Sequence, residues 1–299
     1  MATLAERLPE NAPGLFYVDR SCIDCDTCRR VAPEVFAEGE GHSFVASQPE
    51  TPEGRRRALM ALVACPTASI GTASRTDATP GVRAYPERIE ENVSFCGFTA
   101  ESSFGAWSYF IERPAGGSEE RRFANVLVDS PRAAGPLLRA LEERGGVATL
   151  FLTHRDDVAD HAALHRRFGC ERILHADDVT ARTRDVERKL TGQEPTRLAD
   201  DLLAIPTPGH TRGHAVLLYR DKFLFTGDHV AWSARRGHLV AFRDANWYSW
   251  PETIRSMERL LDFHFEWVLP GHGARYRAGS AAEMRRELEK CVSWMKTVA

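Results

Sequence analysis

Four of the seven cysteines are spaced as ligands of one small group: Cys22, Cys25 and Cys28, with two residues between each, and Cys65 followed by Pro66. Three cysteines at this spacing wrap one face of a cubic iron–sulfur cluster, and a fourth from elsewhere closes it. The competing use is a structural zinc site with four cysteine ligands. Zinc ribbons use two separated C-x2-C pairs, whereas here three cysteines cluster and the fourth stands alone before a proline. That arrangement favours the cluster. Cys96, Cys170 and Cys291 are scattered and are expected to be small buried hydrophobes.

A chain of 299 residues has room for one large domain and one small one. Its 43% hydrophobic content and mean hydropathy of -0.36 are those of an ordinary globular protein. No apolar run approaches the roughly 20 residues that span a bilayer, and Met1–Arg7 lacks the apolar core of a secretory signal. A cytoplasmic location without membrane attachment is therefore expected, and disulfides are not. The net charge of -3 supplies no pull toward nucleic acid. Arg55–Arg57 reads as a solvated helix face, with docking of a redox partner protein as its other use.

Organisation along the chain predicts two domains. Residues 1–12 read as a loose lead. A compact unit follows over residues 13–75, with strands at Gly14–Val18 and Ser43–Ala46 and a helix over Pro52–Ala64, whose Pro52 and Glu53 suit its first turn. Thr72–Arg88 is rich in Thr, Pro, Gly and charge and marks the boundary. The second domain, residues 86–299, alternates strands and helices. Strands are expected at Ser108–Ile111 and Ala124–Val128 around a turn at Pro114–Gly117, then at 148–152, 201–205, 215–219, 223–225 and 266–269. Helices are expected at 133–143, 251–262 and 281–296. The candidate ligands fall just past strand ends.

The cysteine spacing, with Cys28-Arg-Arg-Val-Ala-Pro-Glu-Val-Phe36 after it, resembles single-cluster ferredoxins of bacterial type. Ala32-Pro33 stands where two-cluster members carry a further Cys-Pro, so one cluster is implied. The retained Cys25 favours a 4Fe–4S over a 3Fe–4S core.

The second half carries Thr153-His154-Arg155-Asp156-Asp157-Val158-Ala159-Asp160-His161, Pro208-Gly209-His210-Thr211-Arg212-Gly213-His214, Thr226-Gly227-Asp228-His229 and Pro270-Gly271-His272-Gly273. In this order the four motifs resemble the metallo-β-lactamase superfamily over residues 89–295, and Asn125–Ser130 resembles its early strand and Asp turn. The resemblance implies an α+β chain: a small ferredoxin-like domain followed by a four-layer αββα sandwich with two divalent metals, Zn or Fe and possibly Mn, at one sheet edge. It implies His154, Asp160, His161, His210, Asp228 and His272 as ligands, with Asp228 bridging and Asp160 also orienting the nucleophile. The second His of the family's H-x-H-x-D-H motif is missing, and the gap to Asp160-His161 is two residues longer than usual. Asp156 keeps the H-x-D phase and is favoured as the replacement, Asp157 being the alternative. A metal held by His154, His210 and Asp228 alone, with Asp156 as a loop cap, is the third reading. Exchange of imidazole for carboxylate shifts preference from Zn toward Fe or Mn.

His214 and His229 adjoin ligands and are expected to support them by hydrogen bonds. His165 is expected on a helix surface, and His42, His175, His238 and His264 as ordinary polar positions. Trp247, Tyr248 and Trp250 are expected to pack beneath a loop, with a substrate-pocket wall as the other reading.

Two functions follow from the resemblance. A dinuclear site would hydrolyse an ester, thioester, lactone or phosphoester of a small molecule. Alternatively, the cluster would feed electrons to a non-haem diiron site that reduces a small molecule. A redox-sensing or partner-gating role is the non-enzymatic third.

Overall fold

The computed structural model describes residues 1–113 and 124–298. The turn expected at Pro114–Gly117 lies outside them. The chain divides into two compact units, Met1–Ile111 with Pro131–Gly146, and Glu112–Ser130 with Val147–Ala299.

In the first unit, the strand Phe16–Val18 pairs antiparallel with Ile70–Thr72, and Phe36–Glu38 with Ser43–Val45. The helix Pro52–Ala64 has the expected bounds, and its ends have identifiable causes. The Thr51 hydroxyl accepts from the Gly54 N–H at 3.0 Å, and Pro52 occupies the first turn, where its missing N–H costs nothing. At the other end Pro66 excludes the helical region for Cys65, whose ψ is 120°. The helix must stop there, and Cys65 is delivered at its exit.

The N-terminal lead is not loose. The Asn11 side chain donates to the Leu8 and Val18 carbonyls and accepts from the Val18 and Val45 N–H groups, all within 2.9 Å. These four bonds use every donor and acceptor of the amide. A polar side chain thus does the work of a missing strand, which hydrophobic periodicity cannot reveal. The rest of this unit comprises the antiparallel strands Glu87–Glu90, Val93–Phe95 and Tyr109–Ile111 and the helix Gly135–Glu143. Leu137 and Leu141, one turn apart on that helix, are fully buried.

The second unit contains four parallel strands in spatial order Arg188–Leu190, Glu171–His175, Thr149–Phe151 and Val126–Val128. Six more strands run in the order Thr196–Ala199, Leu202–Pro206, Ala215–Tyr219, Phe223–Gly227, Trp267–Pro270 and Tyr276–Arg277. One face of this six-stranded sheet packs Val216, Leu218, Leu224 and Val268 against Met257 and Leu260 of the helix Trp250–Leu260 and Met284 and Leu288 of the helix Ala281–Thr297. The alternate residues Leu217, Tyr219, Phe223 and Phe225 are buried too, so both faces are covered, as stacked layers require. Each such side chain contributes about 1.5–3 kcal/mol. The fold class is α+β, an αββα sandwich accompanied by a small ferredoxin-like portion.

Strand direction fixes where the site forms. Leu202–Pro206 and Phe223–Gly227 both run antiparallel to Ala215–Tyr219, and Trp267–Pro270 runs parallel to Phe223–Gly227. Their C-terminal ends therefore share one edge, from which His210, Asp228 and His272 emerge. The end of Thr149–Phe151 meets the same edge, because the Ala215 N–H donates to the Thr153 carbonyl at 2.9 Å. Among the described residues no helix is long and apolar enough to cross a membrane.

Candidate functional site

His154 is fully buried, and hydrogen bonds set its tautomer. The Thr153 hydroxyl lies 2.9 and 3.0 Å from the two oxygens of Asp129, a carboxyl that burial pushes up to about 7; in its ionised form it only accepts, so the single hydroxyl proton goes there. That hydroxyl must then accept from His154 Nδ1 at 2.9 Å, which leaves a lone pair on Nε2. His210 Nδ1 donates to the Ala245 carbonyl at 2.5 Å, with the same result. Both Nε2 atoms, and Asp157 Oδ2, are buried with no hydrogen-bond partner among the described residues. Such groups cost about 1–3 kcal/mol each when left unsatisfied.

These orphaned atoms converge. Donor atoms of His154, Asp156 and His210 lie within 4.8 Å of one another, as do those of His154, Asp157 and Asp228. Asp228 stands between the groups, 3.8 Å from both His154 and His210, and accepts from His272 Nδ1 at 2.8 and 3.0 Å. Two imidazoles and three carboxylates thus gather at the sheet edge, with His272 bonded to Asp228 beside them. The donor set and its unsatisfied lone pairs fit a pair of divalent cations.

The electrostatics are those of a site built for added positive charge. Burial pushes the Asp157 carboxyl well above its usual range, and Asp228 adds to the effect. Burial also opposes charge on Asp228, but His272, His154 and His210 outweigh it and hold that carboxyl far below the ordinary range. Burial lowers His154, the nearby His210 contributing, so its neutral, ligating form prevails. Asp156 is lowered first by its contact with His210.

Asp160 and His161, expected as ligands by resemblance, are not brought to this cluster. Asp160 is exposed at the start of the helix His161–Phe168. His161 Nε2 donates to the Arg182 carbonyl at 3.1 Å, so Nδ1 accepts from Arg172 at 3.2 Å, and both ring nitrogens are engaged. The two-residue lengthening carries the pair past the strand end into the next helix. Asp157, the alternative to Asp156 in the sequence, joins His154 and Asp228 while Asp156 joins His154 and His210, so both carboxylates belong to the cluster.

Several supporting residues left no signal in the sequence. Asp178, the last residue of the 3-10 turn Ala176–Asp178 and outside every motif, accepts from the Arg155 N–H at 3.0 Å, the Thr211 hydroxyl at 2.5 Å and the Gly213 N–H at 2.7 Å. It clamps the His154 loop to the His210 loop. Gly227 has a φ of +46°, and a Cβ there would stand 2.9 Å from His214 Nε2. His214 Nδ1 meets the Thr207 hydroxyl at 2.9 Å, as expected of a supporting residue. His229 departs from that expectation: it is fully buried, and neither ring nitrogen has a hydrogen-bond partner among the described residues. Trp247 and Tyr248 are 61% and 49% exposed rather than packed beneath the loop, and the Trp247 ring lies 6.2 Å from that of His210. They stand at the mouth of the site. A cavity of about 200 Å³ beside them is lined by His175, Gln193, Arg212, His214 and Tyr248 among others.

In the first unit Cys22, Cys25, Cys28 and Cys65 line a single pocket closed by Val18, Ile23, Pro66 and Ile70. The Ser43 and Ser69 N–H groups point at Cys22 and Cys65 sulfurs at 3.4 and 3.3 Å. Burial pushes the Cys25 and Cys28 thiols up to about 11 and about 12. Four sulfurs in an apolar pocket with inward N–H donors suit an iron–sulfur cluster, whose sulfurs take such hydrogen bonds. Cys96, Cys170 and Cys291 are fully buried, as expected of small hydrophobes.

Residues 18–72 match the family model described as the 4Fe-4S single cluster domain of Ferredoxin I. A hydroxyacylglutathione hydrolase of Fuscovulum blasticum is 34% identical over 189 residues, 56% of this chain and 72% of that protein. One from Rhizobium etli is 36% identical over 108 residues, 34% of this chain but only 41% of that protein's length. The crystal structure of ETHE1 from Myxococcus xanthus covers 68% of this chain and 90% of its own at 20% identity, with a TM-score of 0.46. The chain belongs to the metallo-β-lactamase superfamily, in the hydroxyacylglutathione hydrolase relationship, and carries a single-cluster ferredoxin segment ahead of that fold.

Proposed function

We propose that this chain is a metal-dependent hydrolase of small-molecule esters, with thioesters first, whose two divalent metals are held by His154, Asp156 and His210 on one side and Asp157, Asp228 and His272 on the other. The observation that carries this reading is the convergence of buried, unpartnered His154 Nε2, His210 Nε2 and Asp157 Oδ2 on Asp228. The relatives named hydroxyacylglutathione hydrolase support a thioester.

Bound metals would supply Lewis-acid polarisation of the substrate carbonyl and a nucleophile available at neutral pH. The protein's part is orientation. The Asp129–Thr153 pair holds His154 in its ligating tautomer, and the Ala245 carbonyl does so for His210. Asp228 lies within reach of both groups and would be the carboxylate shared by the two metals; it also accepts from His272 Nδ1, which orients that ring. Trp247 and Tyr248 offer the substrate an aromatic wall at the mouth. A small-molecule substrate, a redox partner for the ferredoxin segment and a cytoplasmic setting complete the reading.

Three carboxylates among six donors form a harder set than imidazole alone, which supports iron over zinc and keeps a second reading, a diiron oxidoreductase fed by the cluster. Protein purified without oxygen and reconstituted separately with Zn and Fe tests both. Metal-dependent thioester cleavage that is lost in Asp228→Asn supports the hydrolase. Absence of hydrolysis with either metal, together with oxidation of the reduced cluster by an added small oxidant only when Fe fills the site, would replace it with the redox reading.

A further inference from the structure

The pocket of the four cysteines has a wall that the ferredoxin segment does not provide. Gly105 lies well beyond residues 18–72, yet a Cβ on it would stand 2.8 Å from both Cβ and Sγ of Cys25. Its φ is +81°, and the preceding Phe104 is also left-handed at +47°, so this turn is held in a shape that presses bare backbone onto the cysteine. Two hydrogen bonds fix the contact. The Thr27 hydroxyl donates to the Gly105 carbonyl at 3.2 Å, and the Trp107 indole N–H donates to the Thr27 oxygen at 3.3 Å. Thr27 is 1% exposed and lies 3.7 Å from Cys25 Sγ. The Trp107 ring is itself immobilised, stacked on Phe95 with centroids 3.9 Å apart.

From this arrangement we infer that the turn Phe104–Trp107 is part of the cluster site: it seats Cys25 against its iron, keeps water from that corner, and sets through Thr27 the hydrogen bonding at the Cys25 sulfur. Thr27, Gly105 and Trp107 are positioning residues. Because the indole proton already occupies one lone pair of the Thr27 oxygen, the single Thr27 proton is shared between the Gly105 carbonyl and the sulfur. A thiolate bound to iron is the more negative acceptor and draws that proton. Hydrogen bonds to cluster sulfurs and exclusion of solvent are what tune cluster potentials, and a donor to sulfur favours the reduced state. The redox properties of this cluster are therefore decided partly by Gly105 and Trp107, which lie outside the matched segment 18–72. This rests on the cluster reading of Cys22, Cys25, Cys28 and Cys65.

The test uses the full chain purified without oxygen, with iron and sulfide counted before any variant is compared. Two readouts follow: the midpoint potential by mediated titration, and iron release under ferricyanide. Ferricyanide removes one electron from the oxidised cluster, which sheds one Fe2+ and leaves a 3Fe–4S core with its own paramagnetic signature. Gly105→Ala should release that iron about tenfold faster or more. Thr27→Val should move the potential to a more negative value, Thr27→Ser should restore it, and Trp107→Phe should shift it in the same sense by less. Equal loading with unchanged potential and iron release in Thr27→Val and Gly105→Ala would overturn the inference while leaving the cluster intact. If Gly105→Ala fails to fold, the Thr27→Val and Thr27→Ser pair decides alone. A parent chain lacking iron and sulfide would overturn the cluster reading and this inference together.

Discussion

Asp178 ties together the two loops that bring His154 and His210 to the proposed metal centre, so Asp178→Asn should loosen the site without touching a proposed ligand. The side chain is 1% exposed and accepts three hydrogen bonds, two from backbone N–H groups and one from Thr211. Asparagine has the same size but accepts on one side only. If its carbonyl serves Arg155 and Thr211, the amide donor is left facing the Gly213 N–H, donor against donor. The loss of one charge-assisted bond plus an unpaired buried N–H costs about 2–3 kcal/mol. Part of that should appear as ligand misplacement, with metal affinity falling about 10–100-fold, as for other groups that orient ligands. That range corresponds to about 1.4–2.8 kcal/mol, within what the broken bond can supply. Titration of the zinc-loaded chain against a chelator measures the affinity. The iron and sulfide of the cysteine site serve as an internal control, since its ligands belong to the other unit. An Asp178→Asn chain whose metal affinity stays within about twofold of the parent, with an unchanged thermal midpoint, would refute the clamp.

Three further outcomes are expected. His272→Ala should lower bound metal at the dinuclear site, whereas His161→Ala should leave it unchanged and show its cost in stability; equal metal loss in both would return His161 to the ligand set. In Gly227→Ala the new methyl meets Thr153 and His214 at a left-handed φ, so destabilisation of about 1–3 kcal/mol is expected in urea unfolding, and a neutral result would mean that strand end can shift. Burial opposes charge on Glu187, but bonds from Arg172 prevail and lower its pKa to about 2. A carboxyl depressed in the folded state contributes stability that is present above its unfolded value near 4.5 and is lost as pH falls toward about 2. Glu187→Gln should therefore flatten the stability curve across that acid window, and parallel curves for parent and variant would remove the Arg172–Glu187 pair from the account.

What the sequence determined by itself was chemistry carried by short-range spacing. Cys22, Cys25 and Cys28 lie within one turn of chain, and Pro66 both ends the preceding helix and delivers Cys65. The helix Pro52–Ala64, the strand Ala215–Tyr219 and the C-terminal helix were legible because cap, proline and hydrophobic period coincide locally. The metallo-β-lactamase fold was legible through four motifs in order, each at the end of a strand. Only the tertiary structure decided which carboxylates meet. From the sequence Asp156 and Asp157 were alternatives and Asp160 a ligand. Folded, the first two both approach His154, one with His210 and the other with Asp228, while helix initiation at His161 leaves Asp160 exposed to solvent. The Asp178 clamp, the Asn11 side chain standing in for a strand and the Gly105 wall against Cys25 share one cause. Each joins residues far apart in the chain through directional hydrogen bonds or close backbone contact, and neither leaves a period or a spacing in the sequence to be read.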